Sequence, residues 1–309
     1  MKIVIPDELQ LEKKHLSALQ ELTEVTVYED KISNENEIIK RIGDAEIITV
    51  NYFDLTRNII ENVPNLKYVV VPAVGYDWID IDACNKKGIA VQNCPTFNSN
   101  AVVEHAIGLI FAVARKIVES NRHILDGKWI PSSLTGTELQ GKKLLTIGYG
   151  NIGKKVYKLA QSIGMEVDYA NTKTSETELE GKIKNSDIVV LCYPLNESTK
   201  GSFNKSKMDL LSNEAILINV GRGLLLDQDY LKQKLENKEI FGAGLDVFNK
   251  DETLREGRED IMEIARLENV VATPHIGFNS KQAFERLSLE VFENIKSILD
   301  GNPINLVNK

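Results

Sequence analysis

Residues 143–153 read Lys143-Leu144-Leu145-Thr146-Ile147-Gly148-Tyr149-Gly150-Asn151-Ile152-Gly153. A short apolar run of strand character passes directly into a Gly-x-Gly-x-x-Gly turn, and an amphipathic stretch follows. This is a strand, a tight turn and a helix, the unit with which a parallel sheet accepts a dinucleotide at its carboxyl edge. Gly148 allows the turn, Gly150 lets backbone N–H groups approach a pyrophosphate, and Gly153 lets helix and strand pack closely. The helix start at Asn151 and Ile152 adds partial positive charge for the anion.

Working outward, the same alternation of short β-branched runs and longer amphipathic ones fills the chain, so the fold class is α/β, with doubly wound parallel sheets. Downstream, strands are predicted at Glu166 to Ala170, Ile188 to Tyr193, Ala215 to Asn219, Gly242 to Val247 and Val270 to Thr273, which with Lys143 to Ile147 make one sheet. Upstream, Lys2 to Ile5, Glu24 to Tyr28, Glu46 to Val50, Tyr68 to Val71 and Ile89 to Gln92 make a second, smaller sheet. Between the two series, Asn98 to Arg122 reads as one long helix, apolar on most sides and so buried on more than one. A last helix, about Lys281 to Asp300, stops at Gly301-Asn302-Pro303 and is expected to return to the first domain.

The length of 309 residues suits two domains of about 150 residues. With 37 Lys+Arg against 45 Asp+Glu the net charge is -8, so nucleic acid is not an expected partner. The three cysteines, Cys84, Cys94 and Cys192, share no metal-binding or disulfide spacing. No leader-like or membrane-spanning apolar run is read, and a cytoplasmic protein is expected.

Two clusters carry the chemistry. After the second strand of the dinucleotide series stands Asn171-Thr172-Lys173, where an acidic residue ordinarily holds the ribose hydroxyls. A neutral Asn171 removes repulsion toward a 2'-phosphate and Lys173 offers it a charge, so the cofactor is NAD(H) or NADP(H), leaning to NADP(H). The later strands carry Arg222, Asp251 and His275 just beyond their ends. A guanidinium that forks onto a carboxylate, an imidazole that exchanges a proton near neutrality and a carboxylate that keeps it charged together suit reduction of a 2-oxo acid. His15, His105 and His123 lack such a setting and read as structural, the first and last near the surface.

Further motifs stand in order: Leu191-Cys192-Tyr193-Pro194-Leu195, Asn219-Val220-Gly221-Arg222-Gly223, Gly244-Leu245-Asp246-Val247-Phe248 and Thr273-Pro274-His275-Ile276-Gly277. With the glycine turn and Val102-Val103-Glu104-His105-Ala106, they resemble the D-isomer-specific 2-hydroxyacid dehydrogenases over essentially the whole chain. The resemblance implies a Rossmann dinucleotide-binding domain, residues 98–279, inserted into a flavodoxin-like substrate domain made of 1–97 and 280–309. It implies catalysis in the interdomain cleft and a homodimer built around the connecting helix and its loop. Cys192, Tyr193, Pro194, Val220, Gly221 and Gly277 would line the cofactor, and Asp246 would face the nicotinamide carboxamide. Arg222 would bind the substrate carboxylate, His275 would be the acid/base, and backbone N–H groups at Val74 and Gly75 would hold the acid.

That family usually has glutamate five residues after Asp246, where this chain has Asp251 followed by Glu252; either is a candidate partner for His275. The segment Val50-Asn51-Tyr52-Phe53 lacks the arginines that accompany phosphorylated substrates in some members, so a small anionic 2-oxo or 2-hydroxy acid is expected, of the glyoxylate or hydroxypyruvate kind or a small aliphatic oxo acid. Tyr52, Phe53, Trp78 and Phe97 are candidates for a partly apolar pocket, about half of them core. Two other readings share the fold: a dinucleotide-sensing binding protein without turnover, and an enzyme like formate dehydrogenase, which usually has glutamine where Asp251 stands.

Overall fold

The computed structural model describes residues 1–30, 32, 34–249 and 259–308. The chain divides into two compact units, Met1–Asn98 with Asn279–Lys309, and Ser99–Phe278.

In the first unit the strands β1 (Ile3–Ile5), β2 (Val25–Val27), β3 (Ile47–Thr49), β4 (Tyr68–Val70) and β5 (Ala90–Gln92) form a parallel sheet in the order β2-β1-β3-β4-β5. Its centre is apolar on both faces because helices cover both, and Ile48, Val69 and Val91 are fully buried. Helices α1 (Lys13–Leu22), α2 (Glu35–Ile42), α3 (Arg57–Glu61) and α4 (Ile81–Lys87) supply the crossovers. Asn34, Thr56 and Asp80 start α2, α3 and α4 by accepting the N–H of Glu37, Ile59 and Ala83.

The second unit opens with α5 (Ser99–Ala114) and α6 (Ile117–Leu125). One continuous helix was expected here; the chain instead breaks at Lys116, whose φ is +50°. The cause lies outside the helix. Thr137 donates its N–H to the Ala114 carbonyl at 2.8 Å, and a Cβ on Gly136 would come within 2.4 Å of that oxygen. The passing segment thus takes the acceptor that the next helical turn needs.

Beyond it come β6 (Lys143–Ile147), α7 (Asn151–Ser162), β7 (Glu166–Ala170), α8 (Glu176–Lys184), β8 (Ile188–Leu191), α9 (Lys205–Met208), β9 (Ile216–Asn219), α10 (Gln228–Glu236), β10 (Gly242–Leu245), α11 (Glu259–Ala265) and β11 (Val270–Ala272). The six strands are parallel in the order β11-β10-β9-β8-β6-β7. The chain therefore reverses its direction of winding between β6 and β8, the switch point at which open sheets of this kind bind ligands. Helix α5 packs on α7 and on β9, β10 and β11, which explains why ten of its residues are buried.

The last helix, α12 (Lys281–Leu299), belongs to the first unit and packs on α1. That packing corrects the surface position expected for His15. It is buried, its Nδ1 lies 2.7 Å from Ser288 Oγ, and its ring stacks on Phe292 at 5.3 Å. Among the described residues no helix is long and apolar enough to cross a membrane, and no group of His, Cys, Asp and Glu is placed to hold a metal ion.

Candidate active site

The register of the second sheet arranges the site. Ala170 pairs with Ile147, Ile147 with Leu191, Leu191 with Asn219, Asn219 with Leu245 and Leu245 with Ala272, so one row crosses all six strands. The residues immediately after that row are Asn171, Gly148, Cys192, Val220, Asp246 and Thr273. At about 4.8 Å per strand they line an edge of roughly 24 Å, with Asn171 at one end and the turn of His275 at the other.

The glycine turn meets three separate demands. Gly148 has φ +100°, and a Cβ there would lie 2.7 Å from the Cys192 carbonyl oxygen. A Cβ on Gly153 would lie 1.9 Å from the Gly148 oxygen. Both are required by the protein's own packing. Gly150 differs, because a Cβ there would meet nothing within 4 Å. The space above it is open, and Gly150 caps α7 without any side-chain hydrogen bond, whereas Ser175 and Asp227 cap α8 and α10 through their oxygens. A bare helix start facing open space beside a packing-enforced turn fits a pyrophosphate. The arrangement thus suits a dinucleotide held by Gly148, Gly150, Asn151, Ile152 and Gly153.

The flanking residues shape that edge. Cys192 donates its thiol to the Gly148 carbonyl at 3.2 Å, and burial pushes its pKa up to about 12, so it stays a neutral donor. Tyr193 is tied to Ser202 at 3.0 Å and Pro194 accepts the Thr199 hydroxyl at 2.8 Å. Asn171 accepts the Lys173 N–H on its side-chain oxygen at 2.8 Å, forming a tight polar turn in which Asn171, Thr172 and Lys173 are all exposed. Tyr149 stacks on Tyr169 of β7 with ring centroids 3.8 Å apart, joining the glycine turn to the strand that carries Asn171.

Arg222 and His275 each stand three residues past the registered row, on strands separated only by β10. Both therefore lie beyond the carboxyl edge of the sheet, on strands two apart in its order. Asn219 shapes the Arg222 turn by accepting the Gly221 N–H at 3.1 Å and donating to the Arg222 carbonyl at 2.9 Å. Val220 is buried beneath it. His275 is half-buried and has φ +52°, a left-handed conformation that costs a non-glycine residue about 1–2 kcal/mol. Its ring meets Phe278 edge to face at 6.1 Å.

Asp246 holds this turn in place. Its carbonyl accepts the His275 N–H at 2.8 Å, and its carboxylate accepts from Thr273 Oγ1 at 2.6 Å, the Ile276 N–H at 2.9 Å and the Gly277 N–H at 2.8 Å. Burial by itself would raise the Asp246 pKa, but His105 Nε2 at 3.2 Å and the other donors outweigh it and hold the carboxyl below its ordinary range. Oδ2 keeps room for one more donor. His105, read from the sequence as merely structural, is thus part of this cluster. No local spacing revealed it, because its contacts lie more than 140 residues away along the chain.

Asp251 and Glu252 lie outside the described residues. In the first unit, Val74 and Gly75 follow β4, and the Val74 carbonyl accepts Asn93 Nδ2 at 2.8 Å. Tyr52 is 55% exposed after β3, whereas Phe53 and Phe97 are buried at 8% and 3%. Phe97 is a core side chain, its carbonyl tied to Arg286 Nε at 2.7 Å, and this corrects the expectation that it lines a pocket. Sequence reading also missed Asp7, fully buried beside Tyr52.

The family model for "D-isomer specific 2-hydroxyacid dehydrogenase, NAD binding domain" matches residues 107–277. The chain is 31% identical over 327 residues to a hydroxypyruvate reductase of Blautia hydrogenotrophica, with 100% of each chain covered. It is 33% identical over 314 residues to a glyoxylate reductase of Pyrococcus furiosus, covering 95% of this chain and 92% of that one. Among solved structures, an acyclic imino acid reductase in complex with NADPH and D-Arg superposes with a TM-score of 0.90 at 31% identity, over 99% of this chain and 100% of that one.

Proposed function

Because the chain belongs to the D-isomer-specific 2-hydroxyacid dehydrogenases, we propose that it reduces glyoxylate or hydroxypyruvate, with NADP(H) preferred over NAD(H). It is an NAD(P)-dependent oxidoreductase of small 2-oxo and 2-hydroxy acids. The observation that supports the reading is that Arg222 and His275 both follow strands at the carboxyl edge of the sheet, the edge that also carries the glycine turn.

When bound, the nicotinamide supplies a hydride to C2 of the oxo acid. The chain's residues do the rest. Arg222 grips the carboxylate through its two-pronged guanidinium and turns the carbonyl toward His275. His275, protonated, delivers a proton to the carbonyl oxygen as negative charge develops there. Asp251 is our candidate for the acid that keeps the imidazole charged, with Glu252 next to it. Each reduction consumes one proton, which His275 hands to the new hydroxyl. Val74 and Gly75 are our candidates for backbone donors to the acid.

The preference for NADP(H) rests on Asn171 and the exposed Lys173, which present no carboxylate to a 2'-phosphate. A homodimer in the cytoplasm completes the proposal. Helix α6 has no buried residue, while Leu125 and Trp129 are 78% and 82% exposed, an apolar surface suited to a second copy.

The test is a panel of 2-oxo acids with NADH and NADPH, on the wild type and on His275→Ala. Oxidation of NADPH with glyoxylate or hydroxypyruvate, lost by at least 100-fold in the variant while dinucleotide binding persists, is the expected result. Absence of turnover across the panel overturns the substrate reading, and a strong preference for NADH overturns the cofactor reading.

A further inference from the structure

Helix α5 places His105 beneath the turn that carries His275, and the hydrogen-bond directions there are determined. Thr273 Oγ1 spends its one hydrogen on Asp246 Oδ1 at 2.6 Å, so toward His105 it can only accept. The Asp246 carboxylate, ionised, also only accepts. His105 Nε2, 2.9 Å from Thr273 Oγ1 and 3.2 Å from Asp246 Oδ1, therefore carries a hydrogen and donates it to both.

We propose that His105 is a positioning residue for His275, acting through Thr273 and Asp246. The chain of contact is short. Asp246 grips three successive N–H groups, those of His275, Ile276 and Gly277, with its backbone oxygen and its carboxylate. Those bonds hold His275 in its left-handed conformation, from which its ring meets the edge of Phe278. The packing leaves no slack, since a Cβ on Gly277 would lie 2.8 Å from Asp246 Oδ2 and 3.5 Å from His105 Cδ2. Without the donor on α5, Oδ1 loses one of its partners and Thr273 loses the bond that orients its hydroxyl. The carboxylate can then rotate, and the turn with it.

The inference rests on His275 being the acid/base. Its test compares His105→Leu, His105→Gln, Thr273→Val and His275→Ala in the full-length protein. The glutamine amide nitrogen reaches the place of Nε2 and restores the donor. In His105→Leu, kcat falls by on the order of 100-fold, because a shift of about 1 Å at a reacting group has that effect, while the NADPH dissociation constant measured by fluorescence changes far less, because the glycine turn is untouched. His105→Gln regains most of the loss. The ring ¹⁵N resonances of His275, one set in the wild type, broaden or split in His105→Leu and return to one set in His105→Gln. Thr273→Val, which keeps the volume and removes the bridging hydroxyl, reproduces the leucine effect should that variant not fold. Unchanged kcat and unchanged His275 resonances in His105→Leu and Thr273→Val overturn the proposal, as does a parallel loss of kcat and dinucleotide binding. Full activity in His275→Ala overturns the acid/base reading instead.

Discussion

Asp7, with no solvent exposure, accepts the backbone N–H of Tyr52 on Oδ2 at 2.6 Å, while its Oδ1 has no hydrogen-bond partner among the described residues. Burial pushes the Asp7 pKa up from 3.8 to about 6 against the lowering effect of the Tyr52 and Asn51 backbone contacts. Native structure therefore favours the neutral acid. Its contribution to stability is whole below about pH 4 and is lost as pH rises through about 6. Asp7→Asn keeps an acceptor for the Tyr52 N–H and never ionises. Relative to wild type it should gain stability between pH 4 and pH 8, by at most about 3 kcal/mol. Urea unfolding at both pH values measures the gap; a gap that does not widen contradicts a carboxyl held neutral by burial.

Gly150 and Gly153 should separate binding from folding. In Gly153→Ala the new methyl would stand 1.9 Å from the Gly148 oxygen, so the turn must move and the fold loses about 1–3 kcal/mol. In Gly150→Ala the methyl meets no protein atom, so thermal stability stays near wild type. Dinucleotide affinity should nonetheless fall by roughly tenfold or more, because the methyl occupies the space of the pyrophosphate. Calorimetry and fluorescence titration check both arms. Tight binding by Gly150→Ala would place the pyrophosphate elsewhere.

The three thiols should be poor nucleophiles in the native protein. Burial pushes Cys84 up to about 11, Cys192 up to about 12 and Cys94 further up. Since the thiolate is the reactive form, labelling with an aromatic disulfide at pH 8 should be far slower than for free cysteine and reach three equivalents only in denaturant. Rapid native labelling of Cys84 or Cys94, both buried, would show an opening that the packing does not contain.

Trp129 and Leu125 should govern assembly. Replacing both by serine removes the most exposed apolar side chains near α6 and leaves the cores untouched. Sedimentation should report a dimer for the wild type and a shift toward monomer for the double variant. A wild-type monomer at micromolar concentration would rule out this surface as a self-association site.

Much of the fold is legible in the chain itself. Lys143 to Ile147 and Glu166 to Ala170 appear as strands with the expected bounds, and the others shorten by one or two residues at their ends. Local patterning suffices for Lys143 to Ile147, whose last four residues are buried and apolar or nearly so, whereas Glu166 to Ala170 is an exposed edge strand legible from its β-branched and aromatic residues between two helices. The long helix expected over Asn98 to Arg122 shows where that logic ends. Its apolar pattern is continuous through Ile117, but the Thr137 N–H takes the Ala114 carbonyl and Gly136 passes close beside it.

The site divides along the same line. Gly148, Gly150 and Gly153 are readable because a tight turn, an open approach and a close packing each exclude a side chain. Arg222 and His275 are readable because they follow apolar runs of strand length. His105, Asp7 and the contacts of Asp246 are not, since a buried polar group is identified by its partners, and those partners are brought together only by register and helix packing. The sequence by itself determined the order of strands and helices along the chain, the glycine turn and which side chains follow the sheet's carboxyl ends. Only the tertiary structure decided which donors surround each buried carboxylate, because hydrogen-bond geometry depends on distances between residues that the chain keeps far apart.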